Sequence, residues 1–393
     1  MNTTIKKTPL LIKKAPVLAA GFSGMIFFGV AFVIMGAVLP SLIEKFQLDT
    51  TVASTLAGLL PLGILLGSVL FGPVIDRFGY KSLIIIASLI TVAGLELLAW
   101  SQGITQIRFS IFLIGLGGGV LNGLTNALIS DISEDHNRAS NLSILGVFYT
   151  VGAITIPLLF ATLSKTLTYS PIVAGAGALM LLSVVYYTFI TFPQAKFKQG
   201  FPFKKIVLMA KEPAILLLSF TLFFQSGLEG ISNNWIPTFL GEQASIPAKS
   251  AMFALSSIIM GVGVGRLALS VLLKIVSKKL LLLSSMLIAA LGIYLITLFP
   301  TVTVALIGTF MMGLGFASTF PIIFSEIGER YKDVSGTAFS FALVIALTGN
   351  TLINLLVGVV SLKFFPLLVI GCTLAISALY IIHWSVSKKA ISK

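Results

Sequence analysis

Three polar residues at helical spacing interrupt an apolar stretch in the second half of the chain. Gln225, Glu229 and Asn233 follow one another at intervals of four residues, so on an α-helix they share one face, and Trp235 comes shortly after. Amide and carboxylate groups hold vicinal hydroxyls through paired hydrogen bonds, and an indole adds a flat apolar wall with one donor. This set suits a small polar solute such as a sugar. Polar contacts between helices, or a cation site built on Glu229, are the alternatives.

Two asparagine pairs repeat the same four-residue spacing in other apolar stretches, and an asparagine and a tyrosine stand between them. A single asparagine within a membrane helix commonly bonds a neighbouring helix. Two pairs at helical spacing are better explained by a polar cavity, which both pairs would face. The solute-binding residues predicted on these grounds are Asn122, Asn126, Asn141, Tyr149, Asn350 and Asn354.

The elements that carry these residues are strongly apolar. Hydrophobic residues make up 57% of the 393-residue chain and charged residues 10%, and the mean hydropathy is +1.06. A soluble protein needs a more polar surface, whereas helices that face lipid need this composition. Long unbroken apolar runs exclude a membrane β-barrel, because barrel strands alternate between apolar and polar residues. The fold class is therefore an all-α polytopic membrane protein.

Twelve apolar runs are long enough to cross a bilayer, which takes about 20 residues as a helix. The one long polar connection joins the sixth and seventh runs. We therefore predict a six-helix half over 1–192, a cytoplasmic linker over 193–212 and a second six-helix half over 213–393. The predicted spans are 17–43, 51–75, 82–101, 107–130, 139–163, 170–192, 213–240, 250–273, 280–298, 302–325, 335–361 and 364–386.

The basic residues are divided unequally between the two sides of this arrangement. Twenty of the 26 Lys and Arg residues fall on the side of the amino terminus and five on the opposite side, with Arg266 inside a span. Because Lys and Arg concentrate on the cytoplasmic side, we predict a multi-pass protein of the cytoplasmic (inner) membrane with both termini in the cytoplasm. The net charge of +13 is then a topology signal, matched by anionic lipid head groups rather than by nucleic acid.

The two halves resemble each other in sequence. The segment beginning GSVLFGPVIDRFGYK at Gly67 aligns without a gap with GRLALSVLLKIVSKK at Gly265, which also matches Lys81 with Lys279. The same offset pairs two GLG triplets, at 115–117 and 313–315. Parallel repeats about an axis along the membrane normal imply a cavity between the halves that opens alternately to each side.

The turn between the second and third spans carries the strongest local motif, GPVIDRFGYK. It resembles the signature loop of the major facilitator superfamily, G-x-x-x-D-R-x-G-R-K, and departs from it at Tyr80, where Arg is usual. The resemblance implies a gating element in which glycines allow close helix approach while the Asp–Arg pair latches one state. Arg266 begins the equivalent turn of the second half. The predicted gating residues are Gly72, Asp76, Arg77, Gly79, Lys81 and Arg266.

A finer resemblance, over 115–157 and in FFQSGLEGISNNWIPTFL, GVGVGRLALSVLL and FPIIFSEI, is to the fucose:proton symporter branch, which includes sodium-dependent glucose transporters. That branch is expected to carry an acid in the first span, a turn before Leu-Pro, and another in the fourth span. Gly36 and Asn122 occupy these positions here. The resemblance therefore implies a sugar transporter that does not couple to protons through those two acids.

The leading hypothesis is a secondary transporter that moves a small polar solute, a hexose-type sugar, by alternating access and functions as a monomer. Coupling is either absent or to a cation, sodium or proton, and no other cofactor or metal is expected. An exporter of amphipathic drugs or lipids is the first alternative; the fifth span, GVFYTVGAITIP, lacks the Gly-Pro step that such exporters often carry. A sensor on the same fold is the second. No nucleophile, base and acid set indicates an enzyme.

Overall fold

The computed structural model of the chain describes residues 14–164, 166–193, 211–331 and 335–391, and within them leaves undescribed the side chains of 72–74, 76–77, 135–140, 143, 270, 335–337, 340 and 387–391. The described residues contain twelve helices long and apolar enough to cross a membrane, each within a few residues of its predicted position. They are α1 (Lys14–Phe46), α2 (Thr50–Phe71), α3 (Phe78–Ala99), α4 (Ile104–Ile132), α5 (Asp135–Leu163), α6 (Tyr169–Phe189), α7 (Pro213–Ala244), α8 (Ala248–Leu272), α9 (Lys278–Leu298), α10 (Val302–Arg330), α11 (Ser335–Val360) and α12 (Phe365–Ile391).

The internal repeat predicted from the sequence is confirmed in the packing of the helices. Gly115 of α4 lies against α2, where an added Cβ would come within 2.3 Å of the Leu60 carbonyl oxygen. Gly313 of α10 lies in the same way against α8, 2.0 Å from the carbonyl oxygen of Ile258. The offset that aligns Gly67 with Gly265 also relates Gly115 to Gly313 and Leu60 to Ile258. Small residues let these backbones approach closely, and the two six-helix halves use them at equivalent places.

Within the described helices, the regular pattern is interrupted in α3 and in α10. Gly79, the second residue of α3, has a φ of 73° and a ψ of 174°, which favour glycine and mark the turn from α2. The hydrogen-bond pattern of α10 breaks at Ala317 and Ser318, whose backbone dihedrals remain helical, and this divides the helix into segments Val302–Phe316 and Thr319–Arg330. Pro321 lies just after the break, and it has no N–H to donate to the Ala317 carbonyl.

The side on which α1 begins and α12 ends is called the termini side, and the opposite side the far side. The halves meet through α1 with α7, α2 with α11 and α5 with α8. Close contacts of the first two pairs lie toward the far side, where a Cβ added to a glycine would collide with the opposite half. These contacts pair Gly36 with Asn233, Gly58 with Leu355 and Ser54 with Gly358.

The third pair of helices separates toward the termini side. Thr150 of α5 and Gly263 of α8 still touch at mid-depth, at 3.6 Å from an added Cβ. A groove of about 730 Å³ runs between α5 and α8, and Gly146 and Arg266 are among its lining residues. The described residues therefore form a bundle that is closed on the far side and open toward the termini side.

Candidate functional site

The predicted polar face of α7 forms as expected. Gln225 is fully buried, and its Nε2 donates to Glu229 Oε1 over 2.7 Å. The same Nε2 donates to the carbonyl oxygen of Phe316, 3.2 Å away at the break in α10. Glu229 is half-buried and Asn233 is buried. Placing a carboxylate within a membrane costs free energy unless the group faces a cavity or a partner. On this face of α7, Gln225 is the partner of Glu229.

The α11 pair joins this face through a chain of hydrogen bonds. Asn354 Nδ2 donates to Asn350 Oδ1 over 2.9 Å, so the pair predicted from its spacing is formed. The Asn354 Oδ1 accepts from Asn234 Nδ2 at 3.0 Å and from Trp235 Nε1 at 3.2 Å. Trp235 and Asn354 are fully buried, so in this conformation they hold α7 to α11. Their contact with a solute stays a prediction.

A small, largely apolar chamber lies where α1, α2, α7 and α11 meet. Asn233, Asn234 and Asn350 line it, together with Gly230 and Phe32 among others. Its volume of about 10 Å³ is close to the least that a water molecule needs. The Asn233 Oδ1 is buried with no hydrogen-bond partner among the described residues. The chamber therefore has an acceptor ready for a small polar group.

The asparagine pair of α4 faces the interior of the first half. Asn126 Nδ2 donates to Asn122 Oδ1 over 3.1 Å, and Asn126 is exposed. On one flank of the pair Gly118 lies against α1, and on the other Gly119 lies against α2. An exposed amide between these two contacts points toward the space between α1 and α2 rather than toward lipid. Among the predicted residues, Asn126 is the one most open to a solute.

Tyr149 and Arg266 extend the polar surface across the boundary between the halves. The Tyr149 ring packs on Phe28 and Phe32 of α1, with centroid distances of 5.6 and 6.1 Å. Arg266 of α8 acts electrostatically on both Tyr149 and Glu229. Arg266, predicted as a gating residue, thus belongs to the same electrostatic set as the α7 carboxylate.

Asn141 is not brought together with the other candidates. Its Nδ2 donates to Ser133 Oγ over 2.9 Å, across the turn that joins α4 to α5. It lies eight residues before Tyr149, about 12 Å along a helix at 1.5 Å per residue. The structure thus places Asn141 at the termini-side end of α5, and its predicted contact with a solute remains untested.

The predicted gating turn is described in part. Gly79 adopts the left-handed φ that the turn requires, and Lys81 Nζ donates to the Thr188 carbonyl oxygen over 2.6 Å, which ties α3 to the end of α6. The side chains of three further predicted gating residues lie outside the described residues. These are Gly72, Asp76 and Arg77.

Three tyrosine–carboxylate contacts at termini-side helix ends were not predicted. In each, a tyrosine hydroxyl donates to an acid near the termini-side end of a neighbouring helix. The acids beside helix ends were visible in the sequence, but their tyrosine partners were not. Burial and the neighbouring carboxylate raise the pKa of Tyr331 to about 12, so this hydroxyl stays a donor at physiological pH. Tyr80, the departure from the signature loop, is buried and bonds over 2.7 Å. The pairs are Tyr80 with Asp131, Tyr331 with Glu212, and Tyr380 with Glu326.

At Gly36, where the resemblance leads us to expect an acid in the first span, the packing leaves no room for a side chain. A Cβ at Gly36 would lie 1.8 Å from the carbonyl oxygen of Asn233, so no side chain fits there while α1 and α7 are in contact. The position that the resemblance assigns to a carboxylate is here a close backbone contact. Glu229, on the same α7 face as Asn233, is the acid that remains in this region.

Comparison with known proteins agrees with the fold. Residues 20–353 match the Major Facilitator Superfamily. The glucose/mannose transporter GlcP of Bacillus subtilis is 23% identical over 354 residues, covering 86% of each chain. Two solved structures share the fold. The crystal structure of a D-xylose-proton symporter matches with a TM-score of 0.78 and 15% identity, over 94% of this chain and 97% of that chain. The crystal structure of the nucleoside transporter NupG matches with a TM-score of 0.79 and 14% identity, over 95% of this chain and 99% of that chain. The chain belongs to the major facilitator superfamily.

Proposed function

We propose that this transporter carries a hexose-type sugar by alternating access between its two halves. The observation that supports this most is the set of amides that accompany one carboxylate on α7 and α11, together with the exposed amide pair on α4. Gln225 and Glu229 on α7, Asn350 on α11 and Asn126 on α4 offer both donors and acceptors. A sugar presents donors and acceptors in alternation, and uncharged amides match it without the cost of burying a net charge.

The packing supports movement of the halves as units. Contacts within a half rest on interlocked backbone, as between Gly115 and Leu60. The contacts between halves are concentrated toward the far side, and a groove separates α5 from α8 at the termini side. Rocking about the mid-depth contact between Thr150 and Gly263 would close one side and open the other.

Separate observations support the membrane location, the solute class and the coupling of transport to a cation. The excess of Lys and Arg at the termini side supports a cytoplasmic membrane location with both termini in the cytoplasm, so that this conformation faces inward. The similarity to a transporter of glucose and mannose supports hexoses as the solute class. We propose import by a monomer, coupled to a cation, sodium or proton, that acts through Glu229.

Calorimetry on the purified protein tests the solute class. Glucose, mannose and other hexoses are titrated with and without sodium, and a nucleoside and an amphipathic dye serve as comparison ligands. Saturable binding of at least one hexose, weakened in Asn126→Leu but not in the surface variant Gln102→Leu, is the expected result. Binding of the dye alone would support an exporter instead, and binding of none of the hexoses would refute the proposal.

A further inference from the structure

The break in α10 places a backbone carbonyl inside the membrane where a cation would be stabilised. Phe316 is the last residue of the first segment of α10, next to the point where the hydrogen-bond pattern of the helix is interrupted. The Phe316 carbonyl oxygen accepts a hydrogen bond from Gln225 Nε2, so it lies against the polar face of α7. Backbone carbonyls at interruptions of membrane helices are a common source of ligands for sodium in transporters.

Gln225 brings a second oxygen to the same place, and that oxygen lacks a partner. The Gln225 Oε1 is fully buried with no hydrogen-bond partner among the described residues. Its Nε2 lies 3.2 Å from the Phe316 carbonyl oxygen and 2.7 Å from Glu229 Oε1. Both atoms belong to one small amide, and amide orientation follows the surrounding network. Rotation of this amide would direct Oε1 at the point where the other two oxygens converge.

The chemistry of these groups selects the ion. Glu229, Gln225 and the Phe316 carbonyl supply only oxygen atoms, which suit hard cations rather than transition metals. Two further hydroxyls, of Ser318 and Thr319 in the break itself, are buried without partners among the described residues. One carboxylate and neutral oxygens balance a single positive charge, which favours a monovalent ion over Mg²⁺ or Ca²⁺.

We propose that Glu229, Gln225 and the Phe316 carbonyl form a sodium site at the break in α10. This inference deepens the proposed function, since it locates the coupling ion of the same transporter. Arg266 acts on Glu229 from α8, so its positive charge weakens ion binding in this conformation. A bundle open to the termini side is then the state that releases sodium to that side.

Direct binding of ²²Na⁺ to the purified protein, with choline replacing sodium and no sugar present, tests the site. We expect saturable binding to the wild type, no detectable binding to Glu229→Gln, and at least about tenfold weaker binding to Gln225→Leu. Gln225→Glu, which keeps the oxygen ligand, should still bind sodium. Glu242→Gln and Gln243→Leu, at exposed positions of the same helix, are matched controls and should bind as the wild type does.

The outcomes separate this site from the transport proposal. Absence of ²²Na⁺ binding to the wild type, or binding to Glu229→Gln equal to that of Glu242→Gln, overturns the site. If hexose exchange is intact in that case, the transport proposal survives the loss of the site. Conversely, sodium binding without movement of any hexose supports the site and overturns the proposed function.

Discussion

A single methyl group at Gly36 should shift the protein toward the state that is open on the far side. In Gly36→Ala the new Cβ would lie 1.8 Å from the carbonyl oxygen of Asn233, and contacts of this kind are essentially never shorter than 3.0 Å. Helices α1 and α7 must therefore separate by at least 1.2 Å. They belong to different halves, so separation there opens the far side.

The size of the shift is set by the cost of overpacking. Inserting a methyl group into a packed contact costs about 1–3 kcal/mol. Alanine also gains about 1 kcal/mol of helix propensity over glycine, but it gains this in both states and so leaves their ratio unchanged. A penalty confined to the state that is closed on the far side raises the ratio of far-side-open to far-side-closed protein by about 5- to 150-fold.

Labelling of one introduced cysteine measures the shift. Ser54 is buried at the far-side contact with Gly358, and Cys372, the one cysteine of the chain, is replaced by serine to leave Ser54→Cys as the sole thiol. The maleimide labelling rate of this thiol in detergent should rise about 5- to 150-fold when Gly36→Ala is added.

Two glycine variants control the experiment. Gly371→Ala, where no atom lies within 4 Å of the new Cβ, should leave the labelling rate unchanged. Gly94→Ala collides with α4 inside the first half, 2.8 Å from the Ile114 backbone nitrogen, so it should lower stability without raising the rate. A Gly36→Ala rate no higher than these controls would refute the assignment of this contact to the far-side gate.

Three further predictions concern buried polar groups. Asn354→Ala should lower the free energy of unfolding by about 1–3 kcal/mol for each of the two donors it leaves unpaired, and thermal melts that match those of the exposed variant Asn126→Ala would contradict this. Tyr80→Phe removes a hydrogen bond to the Asp131 carboxylate and should lower the free energy of unfolding by about 1.5–3 kcal/mol without altering sugar affinity. The control Tyr294→Phe, at an exposed position, should not change the free energy of unfolding. If the two variants melt at the same temperature, the Asp131 contact contributes no stability. Glu229→Gln should abolish coupled uptake in proteoliposomes while the fold stays intact, and wild-type uptake would remove Glu229 from the site.

The fold was predictable because the bilayer leaves few choices. A chain in lipid must satisfy its backbone within each helix, so apolar length alone located all twelve spans to within a few residues. The repeat could be recognised because close helix contacts require small residues at equivalent positions, as at Gly115 and Gly313. The linker predicted over 193–212 lies mostly outside the described residues.

The site was predictable in composition but not in pairing. Four-residue spacing correctly placed Gln225 with Glu229 and Asn350 with Asn354, because that interval fixes neighbours on a helix. Which residue on another helix each amide meets depends on helix rotation and tilt, which spacing does not encode. For that reason the burial of Trp235 against α11 was not foreseen.

The break in α10 was also missed, for a local reason. Pro321 was visible in the sequence, but proline is tolerated in membrane helices where neighbours satisfy the freed backbone groups. Only the packing shows that Gln225 of α7 reaches the Phe316 carbonyl at this point. The separation of Asn141 from the cavity has a similar origin, since its place near the start of α5 gives it Ser133 as a neighbour.

Counterflow of a labelled hexose in proteoliposomes, with equal sodium and pH on both sides, tests the central claim most directly, because the loaded unlabelled sugar drives the exchange and no ion gradient is needed. Vesicles loaded with unlabelled hexose should accumulate labelled hexose transiently and saturably through the wild-type protein. The Asn126→Leu variant should exchange more slowly, and the surface variant Gln102→Leu should match the wild type. If the wild-type protein exchanges none of the hexoses, the account of this chain as a sugar transporter is wrong.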